Sequence, residues 1–419
     1  MTDRHHNWAG NITFAAAAIH TPASVAEIQQ LVRRGGGLRA VGSRHSFNTI
    51  ADTEAAQVSL ERMASVVGFD REQQTITVEA GATYGTIVRQ IDAAGYALHN
   101  LASLPHISVA GAVATGTHGS GVANGNLATA VRGIELVTAG GEIVSLARGD
   151  DGFDGVVVAL GALGVVTKLT LDLLPTFDVR QDVYENLPMA QLEANFDAIM
   201  RGGYSVSLFT TWRGDVIEQI WRKRVVQPEV EVEVEPMFYG ATAATERRHP
   251  LPGISAEPCT EQLGIAGPWH ARLPHFRMEF TPSSGEELQT EYFVPLDRAV
   301  DALRAVGGLR EVIAPLLQTS ELRAVAADAL WLSMAHGRDS LGIHFTWKQD
   351  WEGVRRVLPQ IEAALAPFGV RPHWGKLFTM EQEQVRSLYP RLPDFQRLLR
   401  SYDPDGQFGN AFVARYIGG

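Results

Sequence analysis

A chain of 419 residues exceeds what one hydrophobic core ordinarily organises, so two domains are expected. The net charge of −11 disfavours nucleic acid and anionic membranes as partners, and the single cysteine, Cys259, excludes an intrachain disulfide. With 45% hydrophobic and 20% charged residues, no apolar run of bilayer length and a polar 1–10 segment unlike a signal peptide, a cytoplasmic, monomeric globular protein is expected.

In chain order, Ser24 and Glu27 are spaced as a capping box. Val25, Ile28, Leu31 and Val32 then share one helical stripe, ended by Gly35-Gly36-Gly37. Residues 38–41 read as a short strand feeding the loop Gly42-Ser43-Arg44-His45-Ser46-Phe47-Asn48. Residues 75–80 alternate, with Ile76, Val78 and Ala80 on one face. Tyr84, Ile87, Val88 and Ile91 mark a helix stopped at Gly95. A second Gly-rich loop follows, Gly111-Ala112-Val113-Ala114-Thr115-Gly116-Thr117-His118-Gly119-Ser120-Gly121. Residues 134–139 and 142–146 flank Gly140-Gly141 as a β-hairpin. Residues 165–174 read as a strand ended by Pro175, closing a mixed α+β domain. Beyond it, 229–235 alternates Glu and Val as a strand with one solvated face. Residues 247–258 read as a surface loop. Residues 297–306 read as a helix with Ala299, Val300 and Leu303 inward, 320–327 and 340–347 as strands, and 381–388 as a helix. No internal repeat is evident.

The two loops carry the first chemical signal. Gly, Ser and Thr let backbone N–H groups crowd around phosphate oxygens. His45 adds an imidazole where a nucleotide would lie. Together the loops suggest one large dinucleotide cofactor. Neither fits a common fingerprint: Gly119-Ser120-Gly121 lacks the P-loop lysine, and the glycine spacing is not that of a Rossmann turn. Taken alone, each is more often a structural turn than a site. Ser43, Ser46 and Ser120 are not set in a nucleophile elbow, which disfavours a hydrolase. His99, His270 and His275 lack metal-ligand spacing, so no metal is expected, and His118 reads as loop architecture.

The second signal is alternation. Glu321 and Arg323 share one strand face, and His344 and Thr346 share another. If the strands are neighbours, a carboxylate, a guanidinium, an imidazole and a hydroxyl line one pocket suited to a polyhydroxylated substrate. The plainer reading is a solvated face with a surface ion pair. Lys376 follows Trp374-Gly375, and Ser103 precedes the second loop; by itself each is an ordinary surface or turn residue.

The loop Gly42-Ser43-Arg44-His45-Ser46 resembles the flavin-attachment loop of the vanillyl-alcohol-oxidase type of FAD enzymes. Ser103-Leu104-Pro105-His106-Ile107-Ser108-Val109-Ala110-Gly111 and Thr115-Gly116-Thr117-His118-Gly119-Ser120-Gly121 resemble their second FAD segment. His373-Trp374-Gly375-Lys376 is similar to the C-terminal motif of the sugar-oxidising branch. With Thr319-Ser320-Glu321-Leu322-Arg323 and His344-Phe345-Thr346-Trp347, the pattern most resembles the bacterial alditol (xylitol) oxidases. Arg44 stands where the resembling loops carry Gly.

This resemblance implies an α+β, two-domain FAD-binding (PCMH-type) flavoprotein. It implies an FAD domain over 1–175, an α+β substrate cap over 176–370, and a segment 371–419 returning to the FAD domain and active site. FAD is expected to be covalent through His45, with His106 and His118 as fallbacks. Implied cofactor contacts are Ala40, Val41, Gly42, Ser43, Arg44, His45, Ser46, Ser103, Ser108, Gly111, Ala112, Val113, Ala114, Thr115, Gly116, Val166 and His373. Implied substrate ligands are Ser103, Glu321, Arg323, Thr346 and Lys376, with Lys376, Glu321, His344 and Arg323 in catalysis. The implied reaction takes hydride from an alditol such as xylitol or sorbitol to flavin N5, with O2 reduced to H2O2 and the aldose released. Rivals are an aldonolactone oxidase or dehydrogenase, an NAD(P)H-dependent flavin reductase, for which no nicotinamide fingerprint is present, and a colourless sugar-binding protein.

Overall fold

The computed structural model describes residues 6–227, 234–280 and 286–418. The helix Val25–Arg34 starts where Ser24 Oγ accepts the Glu27 N–H at 3.3 Å. The Glu27 carboxylate accepts from Ala23 N–H at 2.9 Å, one residue before the cap that the spacing predicted. Gly35, Gly36 and Gly37 all hold positive φ, a region that side chains avoid, so the chain leaves the helix there. It enters the strand Leu38–Val41. That strand pairs in parallel with Ala56–Ser59, which also pairs with Ala18–His20.

A second, antiparallel sheet runs in the order Val66–Asp70, Thr75–Glu79, Val165–Asp172, Val131–Val137, Ile143–Ala147. Its alternating Ile76, Val78, Ile134, Leu136, Leu169 and Leu171 bury against Tyr84, Ile87, Val88 and Ile91 of the helix Tyr84–Ala93. The strand predicted over 165–174 stops at Asp172, where Leu173 N–H turns to Gln74 O at 2.8 Å. Pro175 does not end it. It sits in a two-residue strand against Tyr96, an edge position that requires no N–H. The second Gly-rich stretch is also not loop throughout, because Val109–Ala114 forms a helix.

The third sheet is antiparallel and larger. Its central strands lie in the order Asp178–Pro188, Val216–Val225, Ser205–Thr210, Leu317–Val325, Ser340–Lys348, Glu287–Pro295, Arg371–Pro372. Leu322, Ala324, Ile343, Phe345 and Trp347 join Leu303, Leu358 and Ile361 in the core. The helix predicted over 297–306 begins at Ala299 after a 3-10 turn. Its buried residues are Ala299, Ala302, Leu303 and Val306, while Val300 is half-buried. The alternating 229–235 segment lies for the most part outside the described residues.

The C-terminal chain is tied to the first loop. Phe47 N–H donates to Gly375 O at 2.8 Å, and Asn48 Nδ2 donates to Trp374 O at 2.8 Å and Lys376 O at 2.7 Å. Below the loop, buried Arg39 donates to the carbonyls of Ile50, Leu160, Gly161 and Phe408. A charge with no carboxylate partner among the described residues thus meets four acceptors and clamps four segments together.

Candidate active site

A cavity of about 950 Å³ is walled by the 40–47 loop on one side and by the polar face of the large sheet on another. Ala40, Val41, Gly42, Ser43, Arg44, His45 and Ser46 line it, as do Ser103, Ser108, Gly111, Ala112, Ala114, Thr115, Val166 and His373. Two expected contacts do not. Val113 turns into the apolar core beneath its helix. Gly116, at φ 65°, backs onto Met334. The 247–258 segment is irregular as predicted, but it is not mere surface. His249, Pro250, Leu251, Ile254 and Pro258 also line the cavity.

The two loops are pinned by a reciprocal pair. Ser43 Oγ accepts the Ser108 N–H at 3.0 Å, and Ser108 Oγ accepts the Ser43 N–H at 3.3 Å. A Cβ on Gly42 would stand 2.2 Å from Ser108 Oγ, and one on Gly111 2.6 Å from it. Glycine is needed there so that the loops can close on each other, which in turn shapes the wall. Arg44 holds φ 61°, a left-handed conformation that glycine takes without cost. That is the physical reason a glycine suits this position.

His45 stacks on Trp8, ring centres 5.2 Å apart and planes 22° apart. Its Nδ1 is buried and has no partner among the described residues. Burial, then the nearby His106, pull its pKa down to about 4, so the imidazole is neutral at pH 7. The fallback histidines are each engaged through at least one nitrogen, although His106 Nδ1 is, like that of His45, buried with no partner among the described residues. His106 Nε2 lies 2.9 Å from Met278 O, and His118 Nδ1 lies 2.8 Å from Gly119 O.

On the opposite wall, Glu321 and His344 face each other in register across neighbouring strands, and Thr319 faces Thr346. Arg323 faces Gly342, where a Cβ would come within 3.3 Å of Glu291 Oε1. The room left there admits an ion cluster. Arg323 Nη2 donates to Glu291 Oε1 at 2.7 Å, Arg323 Nε lies 3.6 Å from Glu321 Oε2, and Arg323 Nη1 reaches Ser103 Oγ at 3.5 Å. Burial alone would raise both carboxyl pKa values. Only together do Arg323, the strongest of the opposing groups, with His118 and Lys376 at Glu291 and His275 at Glu321, outweigh it and hold both carboxyls below the usual range. Lys376 donates to Gln289 Oε1 and lies 3.7 Å from Glu291 Oε2 and 5.7 Å above the Phe47 ring. Burial lowers its pKa to about 8 against the pull of Glu291. His344 is buried, and neither ring nitrogen has a partner among the described residues. Burial, then Lys376, press its pKa well below the ordinary value, so the ring is neutral.

Part of this wall comes from residues outside the expected set. Glu287, Gln289 and Glu291 line the cavity from the strand Glu287–Pro295, and their shared face was visible as a period of two. His118 is more than loop architecture, because its Nε2 lies 3.1 Å from Glu291 Oε1. His275, set aside for want of metal-ligand spacing, places Nε2 2.7 Å from Glu321 Oε1. The expectation of no metal rested on sequence spacing, yet His118, Glu291 and His373 bring ligand atoms within 4.8 Å of one another. Arg323 and Lys376 already face Glu291, and a further cation would have to displace them.

The FAD binding domain model matches residues 16–147, which hold both cofactor-type loops. The D-arabinono-1,4-lactone oxidase model matches residues 284–416, which hold Glu291, Glu321, Arg323, His344, Thr346 and Lys376. An alditol oxidase from Streptomyces sp. is 50% identical over 416 residues, covering 99% of each chain. The chain belongs to the alditol oxidase family. FAD is the cofactor of this chain's FAD binding domain. An L-gulono-1,4-lactone dehydrogenase from Mycobacterium tuberculosis is 30% identical over 429 residues, covering 98% of each chain. Among solved structures, a cholesterol oxidase from Brevibacterium sterolicum superposes with a TM-score of 0.79 at 14% identity, covering 99% of this chain and 96% of that one. The fold is thus the expected α+β PCMH-type flavoprotein fold. Among the described residues, no helix is long and apolar enough to cross a membrane.

Proposed function

We propose that the protein is an FAD-dependent oxidase that converts alditols, xylitol and sorbitol among them, to aldoses and reduces O2 to H2O2. It acts as a cytoplasmic monomer on small molecules. One observation carries this reading: Ser103, Glu321, Arg323, His344, Thr346 and Lys376 converge on a cavity whose other wall is the His45 loop. The residues present suit FAD. The two loops close at Gly42 and Gly111, and a neutral buried imidazole with an unpartnered Nδ1 stands among them. FAD, when bound, supplies the hydride acceptor and passes the electrons to oxygen.

The chain supplies binding and proton management. Acceptors on Glu321 and Thr346 and donors on Arg323 and Ser103 match a run of vicinal hydroxyls, which need directional partners on every carbon. His344 Nε2 or Nδ1 takes the hydroxyl proton, since the ring is neutral and its nitrogens are otherwise unused. Lys376 faces the same space and favours the negative charge that develops on that oxygen as hydride leaves carbon. The aldonolactone reading is weaker, because relatives so named share much less of the sequence than the alditol oxidase does.

Covalent attachment through His45 belongs to the same reading. Acid-precipitated wild type should keep its yellow colour, and His45→Ala should release it. A colourless wild-type pellet with all flavin in the supernatant rejects the covalent bond. Anaerobic mixing with xylitol or sorbitol should bleach the flavin far faster than mixing with an aldonolactone. The reverse order of rates rejects the alditol assignment.

A further inference from the structure

Lys223 is a fully buried amine that the reaction above does not use. It lies on the strand Val216–Val225. Its Nζ is 2.5 Å from Leu273 O, 3.2 Å from Pro274 O and 3.2 Å from His275 Nδ1. His275 Nε2 in turn lies 2.7 Å from Glu321 Oε1. Contacts therefore run from a buried ammonium, through one imidazole, to a carboxylate of the substrate wall.

Counting donors sets the direction of this chain. An ammonium has three N–H donors and no acceptor, whereas a neutral imidazole has one of each. Two of the Lys223 donors meet carbonyls and the third faces Nδ1. Nδ1 must then accept, which leaves the ring proton on Nε2, pointing at Glu321. Burial holds the His275 pKa down to about 4, so the ring carries one proton at neutral pH and its tautomer matters. Burial also lowers Lys223 to about 7, against the pull of Glu321, while the three acceptors around Nζ suit its charged form. A neutral amine or an apolar side chain at this position would free the ring. Its lone pair could then face the carboxylate, acceptor against acceptor. Phe209 and Trp221 pack edge-on to the imidazole at 5.7 and 5.0 Å and fix its plane.

We propose that Lys223 and His275 are positioning residues: Lys223 locks His275 as the Nε2–H tautomer, and His275 holds Glu321 Oε1 so that Oε2 is presented to a substrate hydroxyl. The proposal rests on the polyol-binding reading of Glu321 given above. Arg323 Nε, 3.6 Å from Oε2, supports the carboxylate from its other side.

The test has two arms on the holoenzyme. In protein labelled with 15N-histidine, the His275 signals, assigned by their loss in His275→Gln, should report a proton on Nε2 in the wild type. Lys223→Met should lose that single tautomer. In the kinetic arm, His275→Phe should raise the KM for xylitol by at least about tenfold with a smaller change in kcat. His275→Gln should recover most of the loss, since its amide can accept from Lys223 and donate to Glu321. In a Glu321→Ala background, His275→Phe should add nothing further. A wild-type signal with the proton on Nδ1 overturns the proposal, and this arm needs no variant to fold other than the one used for assignment. A His275→Phe enzyme with full FAD and a KM within about twofold of wild type also overturns it. A wild type that shows the Nε2 proton but oxidises no alditol rejects the functional reading and leaves the tautomer lock standing.

Discussion

Arg323→Met removes the guanidinium that stands between two buried carboxylates. In the wild type Nη2 is 2.7 Å from Glu291 Oε1 and Nε is 3.6 Å from Glu321 Oε2. At an effective dielectric of about 20, the closer pair alone gains about 6 kcal/mol of Coulomb energy. Desolvation of the charges offsets much of this, and losing one partner of a buried pair typically costs about 3–5 kcal/mol. Lys376 and His118 still face Glu291, which favours the lower end. With an unfolding entropy of about 2 cal/mol/K per residue, 1 kcal/mol shifts Tm by about 1 °C in a chain of 419 residues. The expected loss at pH 7 is therefore about 3 °C. Its pH dependence has a definite sign. Glu291 and Glu321 are held below their ordinary pKa by Arg323, so in the wild type their stabilisation is present above the unfolded carboxylate pKa. It is lost only as pH falls through the depressed folded values. In the variant, burial acts with less opposition and raises both pKa values, so protonation relieves the stranded charge as pH drops. The Tm gap should narrow between pH 7 and pH 5. Thermal melts followed by intrinsic and flavin fluorescence separate unfolding from cofactor release. A gap that widens on acidification, or a variant with wild-type Tm at pH 7, refutes the reasoning.

Lys376→Met should slow flavin reduction by alditol about a hundredfold in anaerobic stopped-flow, with FAD still bound, and Lys376→Arg should rescue only in part. Because burial brings Lys376 to about 8, the wild-type rate should fall as pH rises past that value and the cation is lost; the Met variant should lack this limb. Gly111→Val should force Ser108 from its place between the loops and cut the flavin-to-protein absorbance ratio; normal loading would count against the role given to that contact.

Much of the first half of the fold was legible because its signals are local. Ser24, the Gly35-Gly36-Gly37 stop, the Ile76 and Val78 alternation and the Tyr84 to Ile91 stripe each act within one element. Errors fell where a tertiary contact overrode the local cue. Pro175 looked like a terminator, but it pairs across a gap of 79 positions with Tyr96. Gly111 looked like loop, but Val109, Ala112 and Val113 bury a helical face in the core, and burial outweighs one glycine.

The site was legible only in part, for a reason specific to sheets. A period of two tells which side chains share a face, and it marked Glu321 with Arg323 and His344 with Thr346. The same period marks Glu287, Gln289 and Glu291, yet nothing local to that strand says which face it will meet. That is decided by strand order: Glu287–Pro295 pairs with Ser340–Lys348, which pairs with Leu317–Val325. Only then does Glu291 come within 2.7 Å of Arg323. His275 had no period to read at all. It sits in an irregular segment held by its own N–H on Ser103 O at 3.1 Å and by Thr260 N–H on its carbonyl at 2.9 Å. Those bonds tie it to the two segments that flank the cavity. A histidine held by its backbone in this way gives no sign in sequence of where its ring points. The ring becomes chemically meaningful only through Lys223 behind it and Glu321 before it, residues 52 and 46 positions away. A side chain that works through another carries its signal in the pair, so the Lys223→Met and Glu321→Ala backgrounds decide its role more sharply than replacing His275 alone.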